Sequence, residues 1–227
     1  MPTPERLTTT VALLALTFAT GLVDAVSYLG LGQVFTGFQT GNVVLLGFAF
    51  AGTEGFGIAA PAISLGAFLA GSVLGGRLVA RLGGRYQRHW FPLALLVECV
   101  LVGAAAAATR IDPEAPVDRR LVVIAALGVA MGLRNSAIRR LAVPDITTTV
   151  LTSTITGLGT DSWLLAASRR RLMRRIAAIT AMLAGAVSGA LLVRESLTLP
   201  FVLVAALTAL IAAAFAVPAA LERLRGR

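Results

Sequence analysis

Asp24 has the most chemistry to offer, because a carboxylate needs a reason to stand inside the apolar run of residues 8–31. An ionisable side chain within a membrane span costs at least about 2.5 kcal/mol on insertion scales, so it is expected to face a bundle interior or a cavity and to find a partner. Thr17, Gly21, Asp24 and Tyr28 follow at steps of four, three and four, which places them on one helical face. Such a stripe, small and polar with one carboxylate, reads as the lining of a substrate, ion or proton site. The alternative is that Asp24 caps or locks a neighbouring short helix.

Two polar openings accompany it. One runs Thr36-Gly37-Phe38-Gln39-Thr40-Gly41-Asn42, the other Thr147-Thr148-Thr149-Val150-Leu151-Thr152-Ser153-Thr154. Thr, Ser, Asn and Gly at a helix start can satisfy its free N–H groups, or leave them pointing at an anion or polar substrate. Thr40, Gly41 and Asn42, with Thr152, Ser153 and Thr154, are therefore candidate substrate-binding or ion-binding residues beside Asp24, Tyr28 and Asn135. Glu98, in an apolar run beside Cys99, reads first as the partner of an Arg near the cytoplasmic face, with a proton relay as the alternative. Asp161, close to Trp163, is either interfacial or a second relay group. Trp90 and Trp163 read as anchors at the membrane interface.

Other chemistries lack their residues. A single Cys and a single His rule out a disulfide framework and a Cys/His zinc site, so no metal or cofactor is expected. No phosphate-cradling loop and no nucleophile–base arrangement is present, and the chain is not expected to be an enzyme. The net charge of +9 comes entirely from Arg, with no Lys. In a soluble protein it would suggest nucleic acid. Here the Arg residues sit between apolar runs, as cytoplasmic loops require, so a lipid bilayer is the expected partner and nucleic acid is not.

The positioning elements follow from composition. With 57% hydrophobic and only 14% charged residues and a mean hydropathy of +0.84, too little polar side chain exists to cover a water-facing surface. The expectation is an all-α polytopic membrane bundle, a single transmembrane domain over 1–227. Runs long enough to span fall at about 8–31, 57–78, 91–109, 121–138, 176–193 and 201–220, and shorter ones at about 41–51 and 153–167. Arginines cluster at Arg77, Arg81, Arg85 and Arg88, at Arg134, Arg139 and Arg140, at Arg169 to Arg175, and at Arg223 to Arg227. The positive-inside rule puts all of these in the cytoplasm, which requires six spans, both termini inside, and two short stretches that are re-entrant or interfacial half-helices. If one short stretch crossed, there would be seven spans and the termini would be split.

Self-comparison suggests a duplication. Gly21-Leu22-Val23-Asp24-Ala25 resembles Gly132-Leu133-Arg134-Asn135-Ser136, Thr40-Gly41-Asn42 resembles Thr152-Ser153-Thr154, and the segment Leu69 to Gly75 resembles Leu183 to Gly189. The matches keep their order, giving repeat one over 7–109 and repeat two over 119–220, each with three crossings. An odd number inverts the second repeat relative to the first, as in transporter folds. Gly128, Gly132, Asn135 and Arg139 then repeat the stripe of the first helix. The glycine pairs Gly71/Gly75 and Gly185/Gly189 permit close helix approach.

At these residues the sequence resembles the YoaK-like bacterial membrane proteins, a family built around a domain of unknown function. The likeness rests on Gly21 to Ala25 with Tyr28-Leu29, on Phe35 through Thr40-Gly41-Asn42 to Leu46-Gly47, and on Met131 to Asn135 with Arg139-Arg140-Leu141. It continues through Val143-Pro144-Asp145 to Val150-Leu151-Thr152, with Ser153 where relatives carry Gly. The resemblance implies a bacterial inner-membrane protein of about six spans, and no substrate. The function expected from the residues is a small-solute or ion transporter or channel with a buried carboxylate. The alternative is a non-transporting scaffold or sensor subunit. A homodimer is compatible with so small a bundle.

Overall fold

The computed structural model describes residues 4–82, 87–111, 117–141, 151–161 and 169–225, and they are helical apart from short connections. The helices are α1 (Pro4–Gly30), α2 (Gln39–Phe50), α3 (Ala59–Leu82), α4 (Gln87–Ile111), α5 (Val117–Leu141), α6 (Leu151–Asp161), α7 (Arg169–Glu195) and α8 (Thr198–Arg225). Six of them contain segments long and apolar enough to cross a membrane: Thr8–Gly30, Ala59–Arg81, Trp90–Thr109, Arg119–Arg139, Arg171–Glu195 and Thr198–Ala216. The chain is a multi-pass α-helical membrane protein. At about 1.5 Å per residue, the 12 residues of α2 fall well short of a hydrocarbon core about 30 Å thick. The 11 described residues of α6 fall short in the same way. Residues 142–150 and 162–168, which include the Thr147 to Val150 part of the second opening and Trp163, lie outside the described residues.

Helix directions can be read from facing residues. Gly21 meets Met182, and Gly30 meets Val193 and Leu197, so α1 and α7 run parallel. Gly71 meets Val129 and Gly75 meets Leu133, so α3 and α5 also run parallel. In contrast, α4 and α8 are antiparallel: Phe91 stacks edge-on against Phe215 at one end, and the Thr109 and Thr198 hydroxyls lie 3.3 Å apart at the other. The α7–α8 turn is only two residues long, and α5 packs on α4 directly after it in the chain. Thus α1, α4 and α7 point one way, and α3, α5 and α8 the other.

The two parallel crossings are backbone to backbone. A Cβ on Gly21 would collide with the Met182 carbonyl, and one on Gly185 with that of Phe18; on Gly71 it would meet the Val129 carbonyl, and on Gly132 that of Phe68. Side-chain-free contact of this kind gives the van der Waals packing that joins helices in lipid, where no hydrophobic effect operates between them. Gly185→Ala and Gly132→Ala should therefore each destabilise the protein, by about 1–3 kcal/mol as overpacking does. Gly66→Ala and Gly103→Ala, where a Cβ meets nothing, should be neutral or mildly stabilising. Melting temperatures in one detergent check both pairs.

Buried apolar side chains form two layers. One contains Leu22, Val26, Val102, Ala105, Ile124, Leu127, Met131 and Val204. The other contains Leu13, Leu16, Trp90, Phe91, Leu95, Leu133, Ile138 and Ile211. Trp90, the first residue of its span, is buried in the second layer, 3% exposed, and so packs against protein rather than lipid. Its ring packs edge-on to Phe91 at 6.0 Å.

Candidate functional site

Between the two apolar layers lies a polar one. On α1 the break falls at Thr17 and Thr20, on α4 at Glu98, on α5 at Arg134 and on α8 at Thr208, all of them buried. Thr17 and Thr208 turn their hydroxyls back to carbonyls of their own helices, Leu13 and Val204 respectively. Serine and threonine commonly satisfy themselves this way inside apolar helices. Thr20 does so as well, donating to the Leu16 carbonyl at 2.8 Å, yet its oxygen also accepts from Arg134 Nη2 at 2.6 Å.

Arg134 is the centre of this layer. Its side chain is fully buried, and its Nη1 donates to Glu98 Oε1 at 2.7 Å, forming an ion pair with both partners at 0% exposure. Nη2 also lies 3.0 Å from Met131 Sδ. The contact with Glu98 uses one arm of each group, since Arg134 Nε and Glu98 Oε2 are buried without a hydrogen-bond partner. The positive-inside rule groups Arg134 with the cytoplasmic arginines. The structure places it inside the Arg119–Arg139 span, while Arg139 is exposed. The signal was available, because Arg134 lies within the fourth apolar run and Glu98 needed a cation at matching depth.

Asp24 sits one helical turn beyond Thr20 on the same face. Its Oδ1 accepts from the Gly37 amide at 2.7 Å and the Thr36 amide at 3.0 Å. The Phe38 amide and the Arg134 guanidinium also act on it electrostatically. Asp24 Oδ2 is buried without a partner. The carboxylate thus holds the connection just ahead of α2, whose N-cap residue Phe38 makes no side-chain cap. Gly37 fits tightly here: a Cβ on it would lie 2.9 Å from the Thr20 methyl and 3.1 Å from Asp24 Oδ2.

The rest of the first opening is a hydrogen-bonded clasp. The connection reverses through Gly32 and Gln33, whose positive φ values are 109° and 55°. Asn42 holds Phe35 from both sides, its Oδ1 accepting from the Phe35 amide at 2.9 Å and its Nδ2 donating to the Phe35 carbonyl at 2.6 Å. From α3, Ser64 donates to the same carbonyl at 2.7 Å, and Gln39 Nε2 donates to the Thr36 carbonyl at 2.8 Å. Tyr28 stacks on Phe35 with ring centroids 5.0 Å apart. Gly41 packs against the Phe35 and Phe38 rings.

The structure therefore brings Asp24, Tyr28, Gly41 and Asn42 together around one connection, whereas Thr40 is exposed. Asn135 is half-buried on α5, next to Arg134. In the second opening Thr152 and Ser153 are exposed and Thr154 is buried; α6 packs on α7, where Arg175 Nη1 donates to the Gly157 carbonyl at 2.6 Å. Asp161 closes α6, and its side chain lies outside the described residues. Gly21, on the expected lining stripe, forms the seam with α7, as Gly128 and Gly132 do with α3. Cys99 Sγ donates to the Ala205 carbonyl at 3.3 Å.

This whole arrangement falls within one family signature. The model described as "Protein of unknown function (DUF1275)" matches residues 12–215. The chain belongs to the DUF1275 family. It is 30% identical over 153 residues to the UPF0700 transmembrane protein YoaK of Bacillus subtilis (strain 168), an alignment covering 67% of this chain and 66% of that relative. The chain thus spans slightly less than two thirds of the length of the relative it matches. No solved structure matches it significantly.

Proposed function

We propose that this protein is a small-solute or ion transporter or channel of the bacterial inner membrane, with both termini cytoplasmic, working through the polar layer around Arg134. The observation that carries this reading is the Glu98–Arg134 pair between two apolar layers, with Asp24 buried one helical turn from Thr20, which Arg134 contacts. Three ionisable groups at such depth are expensive, and intramembrane charges of this kind mark substrate, ion or proton pathways.

The proposed inverted repeats, 7–109 and 119–220, support the same reading. If α1 corresponds to α5 and α3 to α7, the crossing of α1 on α7 exchanges with that of α5 on α3, and each is a parallel glycine-backed contact. Corresponding helices run in opposite directions. Folds of this type place their sites where the halves meet, as the contact of Thr20 with Arg134 does here.

A second reading, a non-transporting scaffold or sensor subunit, draws support from the use of Asp24 to hold the connection before α2. Flux in proteoliposomes decides between them. With a broad panel of small solutes and ions, wild type should carry a flux that Asp24→Asn and Glu98→Gln each lower by at least about tenfold, equivalent to about 1.4 kcal/mol. Asp24→Asn keeps an acceptor oxygen for Thr36 and Gly37. A flux indifferent to both changes, or none at all beside a co-purifying stoichiometric partner, would favour the scaffold.

A further inference from the structure

The polar layer does not balance its charges. Two carboxylates, Asp24 and Glu98, face a single guanidinium, that of Arg134, and an arginine stays protonated in proteins. No other described element supplies a countercharge at this level. The described parts of α2 and of the α8 span carry no ionisable residue, and the charges of α3 and α7 lie in or near their end turns: Arg77 and Arg81 on α3, Arg171, Arg174, Arg175, Arg194 and Glu195 on α7. The Thr36 and Gly37 amides offset part of the Asp24 charge, as hydrogen bonds donated to a carboxylate do, and cannot cancel a full unit. An uncompensated charge at this depth is too costly to persist.

We infer that the Asp24–Glu98–Arg134 cluster holds one monovalent cation, a proton or an alkali ion, and that this cation is the one transported or coupled. The positions for it are the two carboxylate oxygens that are buried without a hydrogen-bond partner, Asp24 Oδ2 and Glu98 Oε2, with Arg134, paired to Glu98 Oε1, as the fixed countercharge of the cluster. Thr20 links the two carboxylates, its hydroxyl on Arg134 and its methyl group beside Gly37, next to Asp24. An anion is disfavoured, because it would enter a site already carrying an excess negative charge. Naming the ion deepens the transport reading and takes its functional meaning from it, while the charge count stands on the structure alone.

Infrared spectroscopy of the purified protein in nanodiscs, at neutral pH in choline buffer, tests the inference. One protonated carboxyl per chain is expected among the 11 acidic residues. Its C=O band should vanish in Asp24→Asn and equally in Glu98→Gln, because one remaining carboxylate balances Arg134 and ionises. Carbon-13 labelling of aspartate or of glutamate in the wild type identifies the holder without any substitution, should a variant fail to fold. Adding Na+ or K+ separates the two cations: a band that persists assigns the proton, and one lost on addition assigns the alkali ion. Full ionisation of every carboxyl in choline, or a band that survives both substitutions, overturns the inference. A protein that binds its cation yet shows no flux overturns the transport reading and leaves this one intact.

Discussion

Arg134→Met should cost the protein about 3–5 kcal/mol, whereas Arg134→Met combined with Glu98→Met should recover most of that loss. The reason is an asymmetry in the energetics of buried pairs. Removing the guanidinium leaves Glu98 at 0% exposure facing apolar neighbours, and a buried carboxylate without a partner bears its full desolvation cost. Removing both charges discards an attraction already largely offset by the desolvation of the two ions. Arg134→Lys should fall between, since an ammonium can reach Glu98 but cannot serve Glu98 and Thr20 from separate nitrogens of a rigid fork. Melting curves in detergent for the two single variants and the double variant form the cycle. A double variant no better than the sum of the singles would contradict the pairing.

Asp24→Ala should free α2 from α1. The Thr36 and Gly37 amides both lose their acceptor in a buried setting, and each orphaned donor costs about 1–3 kcal/mol. The clasp made by Asn42 and Ser64 would remain, so the loss should be local: faster amide exchange over residues 34–50, with α4 and α8 unchanged. Asp24→Asn should show a smaller effect, because its amide oxygen can accept the same two bonds without the charge that strengthens them. Hydrogen exchange read by mass spectrometry distinguishes this pattern from a global loss of protection.

How much of this was legible in the sequence depends on the range of the interaction. The six spans needed only a count of apolar residues against membrane thickness, and the observed segments start and stop within a few residues of the expected ones. The half-helix at Gln39 was legible from the polar residues that open it. Arg134 was legible only in part: it lies within the fourth apolar run, but the topology rule treats every arginine near a span as a loop residue and does not say which one lies opposite Glu98. Trp90 stands at the end of its span, where an interface residue is expected, but a preference for interfaces does not tell that its ring packs on Phe91 and the second apolar layer rather than on lipid. The two apolar layers and the polar one between them are set by four helices at once, so no single run of sequence displays them.

The pairing of α1 with α7 bears on how the chain is made. Helix α1 ends at Gly30 and α7 begins at Arg169, so at about 5–20 residues per second the first helix waits on the order of ten seconds after synthesis for its principal neighbour. During that interval it would stand in lipid with Asp24 unprotected, except that Thr36 and Gly37 leave the ribosome almost at once and can close over the carboxylate. Glu98 has no such local cover and depends on the arrival of α5. The nascent protein is therefore most exposed to quality-control proteases after α4 has been inserted and before α5 follows it.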